Sequence, residues 1–135
     1  MKIGIIADIH ANLQALQTVL DALHAEPVDL IVCAGDLVCY GAQPNEVLNL
    51  VRSLGIPSVM GNYDDAVAWD RPSASRTASS AATEPLKLAA LRWTVERLAP
   101  NHRDYLRGLP WRADCASTDC ASRSCMLDSP ILTNG

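Results

Sequence analysis

Three short motifs in the first half of the sequence carry side chains that bind metal ions. They are Asp8-Ile9-His10, Gly35-Asp36 and Gly61-Asn62. Carboxylate, imidazole and amide groups are all ligands for hard or borderline divalent ions. Asp36 has two carboxylate oxygens and could bridge two such ions. The three motifs together predict a two-metal hydrolytic centre.

Each motif directly follows a short apolar run, over residues 3–7, 28–34 and 56–60. These runs predict strands buried on both faces, and ligands collect at the carboxyl ends of parallel strands. Residues two apart on a strand share a side, so Asp8 and His10 should reach one ion while Ile9 turns inward. Gly35 and Gly61 would let the backbone approach the site closely.

Each motif also has a simpler interpretation. A lone Asp-x-His pair is common, and Asp36 could be a surface turn residue. Gly61-Asn62 could be an ordinary loop with positive φ. The functional interpretation is favoured because all three motifs occur in order at predicted strand ends.

Two helices separate the predicted strands. Asn12 should cap a helix reaching about residue 25, whose apolar face would be Leu13, Leu16, Leu20 and Leu23. Pro44 suits the first turn of a second helix, and Gly55 is placed to end it. The resulting β-α-β-α-β order predicts a layered α/β fold with a parallel sheet.

The remaining sequence predicts a loop and two further helices. Residues 70–82 are rich in Ser, Ala, Thr and Arg, which predicts a flexible loop. Thr83 should start a helix, on which Leu86, Ala89, Ala90, Trp93 and Arg97 recur at helical spacing. Asn101 is expected to cap a last short helix ending at Gly108.

Composition limits the functional classes. The 135 residues form one domain, and the net charge of −4 argues against bulk nucleic-acid binding. No apolar run has membrane-spanning length, and the N-terminus does not resemble a signal peptide, which predicts a cytoplasmic protein. The five cysteines should therefore be free thiols.

The motifs resemble those that open the calcineurin-like metallophosphoesterases. The resemblance rests on Asp8-Ile9-His10, on residues 35–41 (Gly-Asp-Leu-Val-Cys-Tyr-Gly) and on residues 61–64 (Gly-Asn-Tyr-Asp). Residues 12–16 and 44–47 look like a bacterial and archaeal branch of small phosphoesterases. The similarity covers roughly residues 1–110 and implies part of that family's layered α/β fold.

The resemblance also implies a ligand set and a reaction. Asp8 and His10 would hold the first metal ion, Asp36 would bridge both ions, and Asn62 would bind the second. The implied reaction is hydrolysis of a phosphomonoester or phosphodiester by in-line attack of metal-bound hydroxide. Mn²⁺, Fe or Zn²⁺ suits the mixed nitrogen and oxygen ligands, with Mg²⁺ as a further candidate.

The sequence departs from the family pattern after Asn62. Tyr63, followed by Asp64, stands where the family commonly has a His that assists the leaving group. A phenol titrates near pH ~10, against about 6.5 for imidazole, so Tyr63 would donate a hydrogen bond to a phosphate oxygen rather than a proton. A packing role for Tyr63 is the alternative. The family's later His ligands have no counterpart, since His24 is expected to face solvent and His102 to lie on a surface helix.

These departures predict an N-terminal part of a phosphoesterase domain over residues 1–112. Residues 113–135, which contain Cys115, Cys120 and Cys125, are expected to be an irregular tail produced by a frameshift or a premature end. Missing strands would leave an exposed sheet edge that favours self-association. The alternative function is a non-catalytic remnant or binding fragment. A nucleotide-binding module ranks last because the sequence has no Gly-rich phosphate loop.

Overall fold

A computed structural model describes residues 1–74 and 83–114. The described part contains two strands and five helices, and it confirms the predicted mixed α/β class. In chain order the elements are β1 (Ile3–Ile6), α1 (Leu13–His24), β2 (Leu30–Cys33), α2 (Pro44–Ser53), α3 (Asn62–Ala68), α4 (Glu84–Arg97) and α5 (Pro100–Arg107).

The two strands form a parallel pair. Ile3 lies opposite Leu30, and Ile6 lies opposite Cys33. Ile6 is buried, whereas Ile5 on the other face is 70% exposed. The expectation that β1 is buried on both faces is therefore wrong, because no described element covers the face that carries Ile5.

The predicted third strand over residues 56–60 is wrong. This segment makes a single parallel bridge, between Cys33 and Ser58. The Cys33 N–H donates to the Pro57 carbonyl at 2.8 Å, and the Val59 N–H donates to the Cys33 carbonyl at 3.0 Å. Pro57 has no N–H, which removes one ladder donor from the segment. The segment still runs beside β2, as the predicted order requires. Helix α3, which follows it, was not predicted.

The first two helices agree with the prediction. The Asn12 side chain accepts the Ala15 N–H at 3.0 Å and caps α1, which buries Leu16 and Leu20. Helix α2 begins at Pro44, and Gly55 follows its end with a φ of +62°. A positive φ costs glycine little, which explains why α2 stops there.

Helices α4 and α5 exist but differ in detail from the prediction. The buried residues of α4 are Leu91 and Thr94, whereas Leu86, which belongs to the helical spacing seen in the sequence, is 73% exposed. Apolar residues occur on several sides of α4, so packing against α3 selects the buried side. Pro100 occupies the first turn of α5, which places Asn101 inside the helix instead of at its cap.

The surface location predicted for His102 is also wrong. His102 on α5 is buried, and its two ring nitrogens lie 2.9 Å from side-chain oxygens of Asn45 and Asn49 on α2. Asn45 additionally accepts the Ala99 N–H and donates to the Arg97 carbonyl. This polar cluster joins α2 to the corner between α4 and α5.

One apolar core connects the described elements. Its side chains with no measurable exposure come from the β2–α2 connection, from α2, α3 and α5: Leu37, Val38, Cys39, Val47, Leu48, Val51, Ala66, Val67, Ala68 and Leu106. None of the described helices is long and apolar enough to cross a membrane. Most of the predicted loop (75–82) and most of the predicted tail (115–135, with its three cysteines) lie outside the described residues.

Candidate metal centre

The structure brings together Asp8, His10 and Asp36. One ligand atom from each side chain lies within 4.8 Å of the other two. Asp8 and His10 come from the loop after β1, and Asp36 comes from the loop after β2. Two carboxylates and one imidazole at this separation fit a divalent ion that accepts both oxygen and nitrogen ligands.

The backbone at these ligands is left-handed, contrary to the strand argument. Strand β1 ends at Ile6, and φ is +52° at Asp8, +49° at His10 and +57° at Asp36. Such conformations are uncommon for residues other than glycine and concentrate at functional sites. Asp8 and His10 thus converge through a turning loop and not through strand alternation. Ile9 between them is buried, as predicted.

Backbone hydrogen bonds hold the two ligand loops side by side. The Asp8 N–H donates to the Gly35 carbonyl at 3.1 Å, and the His10 N–H donates to the Asp36 carbonyl at 3.0 Å. The Ala11 N–H continues the series with the Leu37 carbonyl at 2.9 Å. These bonds extend the pairing of β1 and β2 past the strand ends, and so they fix Asp36 beside the first two ligands.

The His10 ring has one nitrogen directed at the backbone and one directed at the ligand group. Its Nδ1 lies 3.3 Å from the Val38 carbonyl, which can only accept a hydrogen bond. In the neutral ring Nδ1 then carries the proton. Nε2, which lies 3.6 Å from Asp8 Oδ1, keeps its lone pair for a metal ion.

Gly35 and Gly61 allow the loop after β2 to touch the start of α3. A Cβ on Gly35 would lie 2.7 Å from the Gly61 nitrogen, and Gly35 has a φ of +103°. A Cβ on Gly61 would overlap the side chain and the nitrogen of Asp36. The φ of Gly61 is −84°, so the alternative of a positive-φ loop there is wrong. Close approach is the reason for a glycine at this position, as the sequence predicts.

The Asp64 side chain connects the loop after β2 to Gly61. It is fully buried and accepts four backbone N–H groups, from Asp36 (2.8 Å), Leu37 (2.9 Å), Val38 (3.2 Å) and Gly61 (3.0 Å). Burial raises the pKa of Asp64 to about 6, and the N–H donors oppose that rise. The sequence predicts Asp64, beside Tyr63, as a candidate catalytic residue. In the structure Asp64 is the third residue of α3 after the Gly61 N-cap, and its hydrogen bonds are all to backbone N–H groups.

Asn62 is the first residue of α3 and lies between Gly61 and Tyr63, which both contact Asp36. Its amide nitrogen donates to the Ala74 carbonyl at 2.9 Å. The amide oxygen is then the atom that a metal ion would use. The next residue, Tyr63, donates its backbone N–H to Asp36 Oδ1 at 2.9 Å, which ties the start of α3 to the carboxylate.

Two tyrosines border the ligand group. The hydroxyls of Tyr40 and Tyr63 are hydrogen-bonded, and both rings contact the His10 ring edge-on, at centroid distances of 4.9 and 5.4 Å. Burial and the bond to Tyr40 raise the pKa of Tyr63 far above its usual value. Tyr40 was not predicted to border the ligand group, although it lies within the 35–41 motif.

The described cysteines are unsuited to act as nucleophiles. Cys33 and Cys39 are free and buried. Burial raises the pKa of the Cys33 thiol to about 11 and also raises that of Cys39. Since the thiolate is the reactive form, both side chains serve as small core residues.

The family model described as calcineurin-like phosphoesterase matches residues 1–128. The chain belongs to this family. Members depend on metal ions, and Asp8, His10 and Asp36 form a group that could hold one.

Two relatives in sequence each match about half of the chain. An uncharacterized protein of Methanocaldococcus jannaschii is 48% identical over 65 residues, which is 48% of this chain and 27% of the relative. The symmetrical bis(5'-nucleosyl)-tetraphosphatase of Sodalis glossinidius is 42% identical over 67 residues, 47% of this chain and 24% of the relative.

Two solved structures share the fold. The metallophosphoesterase of Sphaerobacter thermophilus superposes with a TM-score of 0.60 at 41% identity, covering 82% of this chain and 41% of that one. A putative diadenosine tetraphosphatase gives a TM-score of 0.59 at 27% identity, with coverages of 80% and 42%. The chain therefore spans less than half the length of each of these proteins.

The other described histidines do not join the ligand group. His24 is exposed at the end of α1, as predicted. His102 is bound by Asn45 and Asn49 at the α2–α5 contact. In the part of the chain that the structure describes, imidazole is thus supplied to the group by His10 alone.

Proposed function

We propose that the protein is a metal-dependent phosphoesterase that hydrolyses a phosphomonoester or phosphodiester. The observation that supports this proposal is the convergence of Asp8, His10 and Asp36 within 4.8 Å, in a chain of the calcineurin-like phosphoesterase family. The three side chains come from two adjacent loops that the backbone holds in register, so the group is built into the fold.

Asp8, His10 and Asp36 would hold the first ion, and Asp36 would be shared with a second ion bound by Asn62. Mn²⁺, Fe or Zn²⁺ matches these ligands, and Mg²⁺ would match the oxygens. When bound, such ions polarise a phosphate group and lower the pKa of water. The first position is the better supplied, since the described residues give it two carboxylates and an imidazole.

The residues of the chain itself orient this centre. The Val38 carbonyl would keep the His10 Nε2 lone pair directed at the ion, and the Tyr63 N–H would hold one Asp36 oxygen. Asp64 acts as a positioning residue, since all its contacts are to backbone N–H groups of the ligand loops. Tyr63 contributes a neutral phenol, which donates a hydrogen bond but does not transfer a proton near neutral pH.

A small phosphate ester is the proposed substrate class. The Sodalis glossinidius relative is named as a symmetrical bis(5'-nucleosyl)-tetraphosphatase, and it is 42% identical to this chain over 67 residues. A dinucleoside polyphosphate is therefore the first substrate to test. The net charge of −4 argues against nucleic acid as a bulk partner.

Hydrolysis of bis-p-nitrophenyl phosphate and p-nitrophenyl phosphate with added Mn²⁺ tests the proposal. Turnover that Asp36→Asn abolishes and Asp21→Asn preserves would support it, because Asp21 lies on α1 away from the ligand loops. Absence of turnover together with weak Mn²⁺ retention would instead support the alternative, a non-catalytic remnant or binding fragment. Comparing the two esters also separates diesterase from monoesterase activity.

We also propose a cytoplasmic location. Cys33 and Cys39 are unpaired thiols, as expected in a reducing compartment. Cell fractionation of the tagged full chain tests this, and recovery in an oxidising compartment would contradict it.

A further inference from the structure

Tyr40 is the one residue of the segment 37–40 whose side chain is directed outward. Leu37, Val38 and Cys39 have no measurable exposure, whereas Tyr40 is 46% exposed. A large aromatic side chain is therefore presented at the surface next to the ligand group, with its ring 4.9 Å from the His10 ring.

The backbone that presents Tyr40 is strained. Cys39 and Tyr40 are consecutive residues with φ of +80° and +63°. The Gly41 N–H donates to the His10 carbonyl at 2.8 Å, and a Cβ on Gly41 would overlap the backbone of residues 10 and 11. Such strain persists only where the surrounding structure imposes it, and it concentrates at binding and catalytic sites.

The Tyr40–Tyr63 pair has a hydrogen-bond donor left over. Each hydroxyl carries one proton and accepts through its lone pairs, so the bond between the two oxygens uses one of two protons. Tyr63 is the less exposed member and packs against the core. If Tyr63 donates to Tyr40, the Tyr40 O–H is polarised and free to donate outward.

We infer that Tyr40 binds the substrate: its hydroxyl donates a hydrogen bond to a non-bridging oxygen of a phosphate ester held at Asp8, His10 and Asp36. Tyr63 acts through Tyr40 by donating to it. This inference rests on the proposed function and assigns a contact that the sequence argument placed on Tyr63. The acceptor is an anionic phosphoryl oxygen because the neighbouring ions would hold that group beside the pair.

Titration of the Mn²⁺-loaded protein with phenylphosphonate, a non-hydrolysable phosphomonoester analogue, tests the assignment by calorimetry. Tyr40→Phe keeps the ring but removes the donor, and it should weaken phenylphosphonate binding by about tenfold or more, as expected for a hydrogen bond to a charged group. Tyr63→Phe should weaken it by a smaller factor. Tyr105→Phe removes a hydroxyl on α5, away from the ligand group, and should have no effect.

The Mn²⁺ dissociation constant, measured by electron paramagnetic resonance, separates this inference from the proposed function. Unchanged Mn²⁺ binding in Tyr40→Phe, with weaker phenylphosphonate binding, supports the assignment. Equal phenylphosphonate affinity in wild type and Tyr40→Phe overturns this inference and leaves the proposed function intact. A larger loss of phenylphosphonate affinity in Tyr63→Phe than in Tyr40→Phe does the same. Absence of Mn²⁺ binding in the wild type overturns both proposals.

Discussion

One oxygen of the buried Asp64 carboxylate accepts the backbone N–H of Asp36 at 2.8 Å. The same oxygen accepts the Gly61 N–H at 3.0 Å, and the second oxygen accepts two further N–H groups of the β2–α2 loop. The loop that carries Asp36 and the loop that precedes Asn62 are therefore held by a single side chain. We therefore expect both the free energy of unfolding and the binding of metal ions to depend on Asp64.

Asp64→Asn should destabilise the protein and weaken Mn²⁺ binding. The amide would direct N–H groups at backbone donors, which we expect to lower the free energy of unfolding by about 2–3 kcal/mol. Asp65→Asn is the matched control, because Asp65 pairs with the 53%-exposed Arg71 and should cost less than about 1 kcal/mol. Urea denaturation measures both, and an equal midpoint in the two variants would contradict the role given to Asp64.

Gly61→Ala should disrupt the contact between the start of α3 and the loop that carries Asp36. The added Cβ would overlap Asp36, so we expect a loss of about 1–3 kcal/mol in unfolding free energy and weaker Mn²⁺ binding. Gly108→Ala provides the comparison, because a Cβ there would meet its nearest atom at 3.5 Å. Thermal unfolding and Mn²⁺ titration report the two effects, and a Gly61→Ala protein with wild-type values for both would exclude close packing as the reason for this glycine.

The sequence predicted which ligand residues converge more reliably than it predicted the backbone conformation that brings them together. The Asn12 cap and the end of α2 near Gly55 are local signals, and the structure confirms them. The prediction that Asp8 and His10 converge by strand alternation is wrong. Both have a left-handed backbone, which their residue types do not indicate. The polar contacts of His102 are formed by Asn45 and Asn49, more than 50 residues away, and helical periodicity carries no information about them.

Tertiary packing determines further features that local sequence patterns do not indicate. Helix α4 has apolar residues on several sides, and its packing against the rest of the fold, including α3, buries Leu91 and Thr94. The apolar run over residues 56–60 predicted a strand, but Pro57 limits it to one bridge. Tyr40 was not recognised as a site residue because its contact with Tyr63 depends on how the loop after β2 folds.

Self-association, which the sequence predicts at an exposed sheet edge, should also involve the uncovered face of β1. Ile5 is 70% exposed, and in the described residues β1 has β2 as its only strand neighbour. Ile5→Lys should raise the dissociation constant for self-association by about tenfold or more, because a buried Ile contributes roughly 1.5–3 kcal/mol. Sedimentation velocity over a concentration series measures this. Leu86→Lys removes a similarly exposed side chain from α4 and should leave the constant unchanged; monomeric wild type at all concentrations would contradict the proposal.

His102 should make the stability of the protein fall on mild acidification. Burial, followed by the nearby Arg52, lowers the pKa of His102 below its usual 6.5, although Glu46 acts in the opposite direction. As pH falls through about 6.5, the unfolded chain takes up a proton that the folded chain does not, so the free energy of unfolding decreases until the lower folded-state pKa is reached.

Urea denaturation between pH 7.5 and 5.5 measures this His102 contribution. His102→Gln should lose that part of the pH dependence and should be less stable than wild type at pH 7.5, since the contacts with Asn45 and Asn49 change. His24→Gln should keep the wild-type pH dependence because His24 is exposed at the end of α1. Parallel pH profiles for wild type and His102→Gln would show that this buried imidazole does not carry the effect.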